Sequence, residues 1–244
     1  MSEMKLKRKK KDAQTPEQNG FLNTRRQILN DNSGFVVQEA YKTLRTNVRF
    51  FLRGEGCQRL CITSAAASEG KSITLLNLAI SIAKAGQKVL LIDADLRRPA
   101  VARLLVEKAS PGLSNILAGL SDENEVLRKD IYPNLDIIFS GDIPPNPSEL
   151  LGNDRMKNLI DTMATRYDYV LVDTPPVNVV SDACIVANLL DGALLLVRQG
   201  RSKKESVRRA VANLELTGAK ILGFVLNGVP HEKKGSYGYY YYYY

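Results

Sequence analysis

Leu60-Cys-Ile-Thr-Ser-Ala-Ala-Ala-Ser-Glu-Gly-Lys-Ser72 decides the fold. It reads as an apolar strand, a loop of small residues, and a Gly-Lys-Ser step that opens a helix. A nucleotide's phosphate chain needs converging backbone N–H groups at a helix N-terminus, a cation, and a hydroxyl for a metal ion. This stretch supplies all three. Lys71 reaches the β- and γ-phosphates, Ser72 ligates Mg²⁺, and Gly70 permits close backbone approach. Ala66, Ala67, Ser68, Glu69, Gly70, Lys71, Ser72 and Ile73 form the expected nucleotide-binding surface, with ATP the expected nucleotide. The usual pattern begins with glycine where this chain has Ala65, so the flanking strand and helix carry much of the signal. A polar strand-to-helix turn is the plain alternative.

Working outward, the chain alternates short apolar strands with amphipathic helices. Strands are expected at 59–63, 88–93, 135–139, 168–173, 192–197 and 219–226. Helices are expected at 36–52, 72–84, 148–165, 181–190 and 203–216, with a short glycine-closed helix at 112–119. The implied fold is α/β, a mainly parallel central sheet with helices on both faces, the P-loop NTPase arrangement. Ligands should gather at the carboxyl ends of its strands. On the first helix, Val37, Tyr41, Leu44, Val48 and Phe51 make one apolar stripe, and Glu39 stands three residues before Lys42, within ion-pair reach.

Two strands end in acid. Val89-Leu-Leu-Ile-Asp-Ala-Asp95 places Asp93 and Asp95 two apart on one side of extended chain, and Tyr169-Val-Leu-Val-Asp173 ends likewise. Carboxylates suit a hard Mg²⁺ ion, directly or through its retained waters. Asp95 and Asp173 are assigned to the metal and its water shell, and Asp93 to accepting a proton from an incoming hydroxyl; the division between Asp93 and Asp95 is open to exchange. A cap or a pairing with Arg97 or Arg98 is the bland reading of either aspartate. Asn227 follows the last strand, where its amide either reads a purine edge or closes a turn with Gly228. His231, the only histidine, lies in a polar segment.

With 244 residues, the chain has room for one sizeable core. The net charge of +8 would ordinarily suggest nucleic acid or an anionic membrane as partner, but six basic residues fall between Lys5 and Lys11. No nucleic acid partner is therefore expected. Residues 1–34 read as a flexible basic arm, either solvated or resting on anionic lipid. Three cysteines without metal-ligand spacing fit a reducing cytoplasm, and neither a secretory signal nor a spanning segment is visible. Residues 35–230 form the expected domain and residues 231–244 a flexible tail.

That tail contains Tyr237, Tyr239, Tyr240, Tyr241, Tyr242, Tyr243 and Tyr244. It has no packing period and can extend on the order of 40 Å from Lys233, far enough to reach a neighbouring molecule's site. Each phosphotyrosine would add about −1.5 to −2 charge, enough in aggregate to drive neighbours apart.

Together these residues resemble the bacterial tyrosine kinases of capsule and exopolysaccharide synthesis, in the class whose cytoplasmic kinase is separate from its transmembrane activator. The resemblance runs from about Val36 to Tyr244 and rests on Glu39-Ala-Tyr-Lys-Thr-Leu-Arg45, the phosphate loop, Asp93-Ala-Asp-Leu-Arg-Arg-Pro99, Gly141-Asp-Ile-Pro-Pro-Asn-Pro-Ser-Glu-Leu-Leu151, Asp173-Thr-Pro-Pro176 and the terminal tyrosines. It implies a P-loop sheet related to partition and division-site ATPases. It also implies transfer of the γ-phosphoryl group to the tyrosine cluster between subunits of a ring, joined through Glu39, Lys42 and Arg45. An activating segment from a transmembrane adaptor, recruitment to the inner face of the plasma membrane, and substrates such as nucleotide-sugar dehydrogenases are further implications. Two departures stand out: Lys42 replaces the usual arginine and lacks its two-pronged geometry, and Ala67 replaces a frequent proline. A partition-type ATPase is the rival, but its relatives commonly carry a lysine where this chain has Ala66.

Overall fold

A computed structural model describes residues 27–230 except Arg53 and Glu55. The tyrosine cluster, His231 and most of the basic arm lie outside the described residues. The elements in chain order are α1 (Phe35–Phe51), β1 (Gln58–Ser64), α2 (Lys71–Ala83), β2 (Val89–Asp93), α3 (Val101–Leu105), α4 (Leu113–Ala118), α5 (Glu123–Val126) and β3 (Leu127–Tyr132). There follow β4 (Leu135–Ile138), α6 (Pro147–Leu151), α7 (Asp154–Ala164), β5 (Tyr169–Asp173), α8 (Asp182–Ala187), β6 (Gly192–Arg198), α9 (Lys204–Leu216) and β7 (Ile221–Asn227). No helix among the described residues is long and apolar enough to cross a membrane.

The seven strands form one sheet in the order β3-β4-β2-β5-β1-β6-β7. All neighbouring pairs are parallel except β3 with β4. Successive strand residues point to opposite faces, which is why each apolar run feeds two cores. Cys61, Leu90, Ile92, Val170, Val172 and Leu195 pack on one face against α7, α8 and α9. Leu60, Ile62, Leu91, Leu171, Leu194 and Leu196 pack on the other with α2 and Val48 of α1. Burial pushes the Cys61 thiol up to about 12, so it behaves as a small hydrophobe.

The structure departs from the sequence reading in four places. The helix expected over 148–165 is two, because Asn153 caps α7 by accepting the Met156 N–H at 3.1 Å and Gly152 ends α6. Strand β3 was not expected; a register shift between Arg128 and Tyr132 and a left-handed Asp130 (φ 53°) destroy its alternation. On α1 only the middle of the apolar stripe is covered, since Val37 and Phe51 are exposed beside Phe35, Val36 and Phe50. The Glu39–Lys42 pair forms at 2.7 Å on its exposed side, while the Arg45 guanidinium donates to the Ser81 carbonyl at 2.7 Å and ties α1 to α2.

The fourth departure concerns the arm. Residues 27–33 were expected to be unstructured, yet Leu29 is buried in the core and its N–H donates to Asn77 Oδ1 at 2.8 Å. Asn77 Nδ2 in turn donates to the Gln27 carbonyl at 2.9 Å and the Tyr41 hydroxyl at 3.1 Å. One amide on α2 thus pins both the segment before α1 and α1 itself. The folded unit consequently begins no later than Gln27. Leu29→Ala should lower the unfolding free energy in urea by about 2–4 kcal/mol; a change within the noise of a surface substitution would show that this segment is not part of the core.

Candidate functional site

Strand order does the first part of the work. Strand β5 lies between β1 and β2, with Ile62 and Asp93 both in register with Asp173. The carboxyl ends of these three strands therefore meet where β1 runs into the phosphate loop. Helix α2 starts at Lys71, and its first N–H groups have no intrahelical acceptor. They point, with the loop amides, toward the space a phosphate would occupy.

The loop is held in an unusual shape. Ser68 (φ 60°) and Gly70 (φ 105°) both adopt left-handed backbone, and a Cβ at Gly70 would lie 2.4 Å from Asn227 Nδ2. Alternation of left- and right-handed residues turns successive N–H groups into an anion-binding concavity. Ser64 Oγ donates to the Ala66 carbonyl at 2.7 Å. Buried Glu69 accepts the Ala66 N–H at 3.2 Å and a short hydrogen bond from the Ser202 hydroxyl. Arg198 donates to the Ser68 carbonyl at 3.3 Å, and Asn227 Nδ2 donates to the Glu69 carbonyl at 2.9 Å. Asn227 Oδ1 accepts the Gly228 N–H at 2.8 Å, so this amide closes its own turn and braces the loop.

Four charged groups share the cleft. Lys71 Nζ stands 3.9 Å from Asp95 Oδ2, both side chains almost fully buried. Asp93 is fully buried, its Oδ1 accepting the Asp95 N–H at 3.2 Å and its Oδ2 the Val101 N–H at 3.1 Å. Burial, reinforced by the charge of Asp173, holds its pKa well above the usual carboxylate range. Asp95 is also raised by burial, with Lys71 and the backbone amides of Arg98 and Arg97 pulling it back. Asp173 is fully buried and raised to about 6, burial outweighing the pull of Lys71 and Ser72.

Both oxygens of Asp173 are buried without a hydrogen-bond partner. Orphaned carboxylate oxygens in a folded core are rare and call for a ligand. Beside the Ser72 hydroxyl and within the field of Lys71, they fit a hydrated Mg²⁺ ion. Mg²⁺ is ordinarily held by one or two carboxylates, substrate phosphates and retained waters, not by a full protein cage. Among the described residues there is no group of three or more His, Cys, Asp or Glu able to hold a metal ion. A cavity of about 390 Å³ between Leu29, Ile80 and Tyr132 lies toward the amino ends of the strands, away from these groups.

The sequence reading thus finds Lys71, Ser72, Asp93, Asp95 and Asp173 gathered in one place. It missed the braces: Arg198 ends β6 and Ser202 follows it, and only their position at a parallel strand's carboxyl end could have pointed to them. It also missed the partner of Arg97, which is Asp182 at 2.8 Å and not a metal-site aspartate.

The raised pKa of Asp173 has a consequence for stability. An unfolded aspartate titrates near 3.9, so the folded state binds this proton more tightly, and stability falls as pH rises from about 4 to about 6. The penalty is complete above that window. Asp173→Asn removes it, and the nucleotide-free variant should melt roughly 4–10 °C above the parent near pH 7.5, the gap closing toward about pH 4. Calorimetry across that range checks the sign; a gap that does not change with pH would show that Asp173 ionises without cost.

Comparison with known proteins agrees with this geometry. Residues 59–191 match a family model described as an AAA domain. The tyrosine-protein kinase YwqD of Bacillus subtilis is 41% identical over 202 residues, covering 83% of this chain and 85% of that protein. The tyrosine-protein kinase CpsD of Streptococcus agalactiae serotype III is 39% identical over 203 residues, covering 83% and 86%. Among solved structures, the kinase domain of Escherichia coli tyrosine kinase ETK superposes with a TM-score of 0.80 at 39% identity, covering 87% of this chain and 84% of that one. The septum site-determining protein MinD of Pyrococcus horikoshii, complexed with Mg-ADP, shares the fold at 23% identity and a TM-score of 0.60, covering 70% of each chain. On the strength of a phosphate loop, paired strand-end aspartates and relatives matched along most of their length, the chain belongs to the bacterial tyrosine-kinase family.

Proposed function

We propose that this chain is an ATP-dependent protein-tyrosine kinase that phosphorylates its own C-terminal tyrosine cluster between subunits, and that it regulates capsular or exopolysaccharide synthesis or export. The observation that carries this reading is the convergence of Lys71, Asp95 and buried, unpartnered Asp173 beside a braced phosphate loop, in a chain ending in seven clustered tyrosines.

In this reading the loop amides from Ala67 to Ile73 and Lys71 hold the β- and γ-phosphates. Ser72, Asp95 and Asp173 hold Mg²⁺, which when bound neutralises charge on the phosphate oxygens. The tyrosine hydroxyl oxygen attacks the γ-phosphorus, the bond from that phosphorus to the β–γ bridging oxygen breaks, and ADP leaves. Asp93 takes the hydroxyl proton. Each Asp93 oxygen already accepts one backbone N–H, but a carboxylate oxygen has a second lone pair. Burial raises its proton affinity, and catalytic contacts often tighten only once substrate is bound. Asn227 sits near enough to the loop to meet the nucleotide's base, although its amide is already engaged with Glu69 and Gly228.

The acceptors are Tyr237 and Tyr239 to Tyr244 of a neighbouring copy. The ring forms through the exposed side of α1, where Glu39 and Lys42 lie beside Arg45; the adaptor's cytoplasmic segment supplies activation and recruitment to the inner membrane face. Nucleotide-sugar enzymes are the proposed external substrates.

Incubation with γ-labelled ATP and Mg²⁺, with and without the adaptor segment, should label the terminal tyrosines. Lys71→Met should lower incorporation by at least about 10³-fold, the scale expected when a cation on the transferring phosphoryl group is removed. Phe at the seven tail tyrosines should remove the acceptors and leave ATP binding intact. Full tail labelling by the Lys71→Met protein, with contaminating kinases excluded, would overturn the assignment.

A further inference from the structure

The connections that leave the carboxyl ends of β2, β4 and β5 are joined by one closed set of hydrogen bonds, made by Arg97, Ser148 at the start of α6 and Asp182 at the start of α8. Arg97, two residues past Asp95, donates from Nε to Asp182 Oδ2 at 2.8 Å and from Nη2 to Asp182 Oδ1 at 3.1 Å. The same Nη2 donates to Ser148 Oγ at 2.9 Å, and Ser148 Oγ donates to Asp182 Oδ1 at 2.6 Å. Asp182 is fully buried while the Arg97 side chain reaches the surface at 37% exposure, so a buried charge is spent on a group outside the core. A buried ion pair of this kind adds little net stability compared with apolar packing. Its place beside the phosphate loop points to another purpose.

That purpose is legible in the backbone. The Arg98 N–H donates to Asp95 Oδ1 at 3.0 Å, so the conformation of residues 95–98 sets where the Asp95 carboxylate points. Arg97 is the one side chain inside that turn gripped by a two-pronged partner on another element, and a fork of this kind fixes direction as well as distance. Ser148 closes the grip from the segment 141–151, whose far end is held where Asn115 Nδ2 donates to Asp142 Oδ2 at 2.8 Å. The grip spans 85 residues of sequence from Arg97 to Asp182 and meets the site at the Asp95 turn, where Asp95 also feels the Asp182 charge.

We propose that Asp182, acting through the fork to Arg97 and the hydroxyl of Ser148, is a positioning residue that orients Asp95 toward the Mg²⁺ of the bound nucleotide. The inference rests on the reading of Asp95 as a metal-site carboxylate. Groups that orient metal-site ligands typically alter metal affinity by about 10–100-fold when replaced.

The test is metal-dependent binding of a fluorescent ADP analogue to the full chain, titrated with buffered free Mg²⁺ and repeated in EDTA. Asp182→Asn keeps the shape and removes the charge. It should raise the half-saturating Mg²⁺ concentration by about 10-fold or more while leaving the affinity measured in EDTA unchanged. Arg97→Lys, which keeps the charge and loses the fork, should move it in the same direction, and Ser148→Thr should stay near the parent. Asp95→Asn serves as the reference. If Asp95→Asn shifts the Mg²⁺ dependence and neither Asp182→Asn nor Arg97→Lys does, the positioning role is overturned and the reading of Asp95 stands. If Asp95→Asn itself has no effect, both fall. Should Asp182→Asn fail to fold, Arg97→Lys decides alone, because its exposed side chain leaves the core intact.

Discussion

Three buried carboxylates and one ammonium share the ends of adjacent strands, and the arrangement is short of positive charge. Every carboxylate in the set is pushed up, Asp93 well above the usual range, Asp95 to a lesser degree and Asp173 to about 6. Burial is the first cause in each case; the charge of Asp173 adds to it at Asp93, and that of Asp95 at Asp173. A core does not tolerate such a set for stability, since each ionised acid would be more comfortable in water. A divalent cation is the kind of ligand that would supply the missing charge.

The topology makes this crowding unavoidable. With β5 between β1 and β2, and every strand of the trio parallel, their last residues cannot avoid one another. Asp93 and Asp173 face each other in register, and Lys71 enters from the helix that β1 feeds. Apolar residues beneath them on both faces fix the register, because a one-residue slip would turn each buried set toward the wrong core. Hydrophobic packing of ordinary kind thus holds an electrostatic arrangement that would not assemble by itself.

How much of this was legible depends on the range of the signal. The strands of the trio are short apolar runs, and an aspartate at the end of such a run announces its position locally. Hence Lys71, Ser72, Asp93, Asp95 and Asp173 could be read before any coordinates. Strand order is a property of pairings distant in sequence, and nothing in the run around Tyr169 says that it lies between the other two. Strand β3 hid behind its bulge at Asp130, and the docking of Leu29 depended on a single amide, Asn77, on a helix that looks wholly apolar around it. The bond from Arg97 to Asp182 was hidden for the same reason: two charged residues far apart in sequence give no sign of pairing. The tyrosine cluster was legible as composition and lies outside the described residues, so its role rests on sequence.

The phosphate loop shows what replaces local stiffness. Its first position is Ala65 in place of the expected glycine, and Ala67 stands where a proline is frequent in the family it resembles. Proline restricts a loop by fixing its own φ, which an alanine does not do. Here the restriction comes from outside the loop. Glu69 pins the Ala66 amide and is itself held by Ser202, Arg198 grips the Ser68 carbonyl, and Asn227 grips the Glu69 carbonyl. Three contacts from the ends of β6 and β7 brace a loop whose Ser68 and Gly70 are in left-handed backbone that the sequence alone would not favour at a serine. The loop's shape is consequently a property of the neighbouring strands. Any partner that moved the turn after β6, or the end of edge strand β7, would reach the phosphate loop through hydrogen bonds already in place.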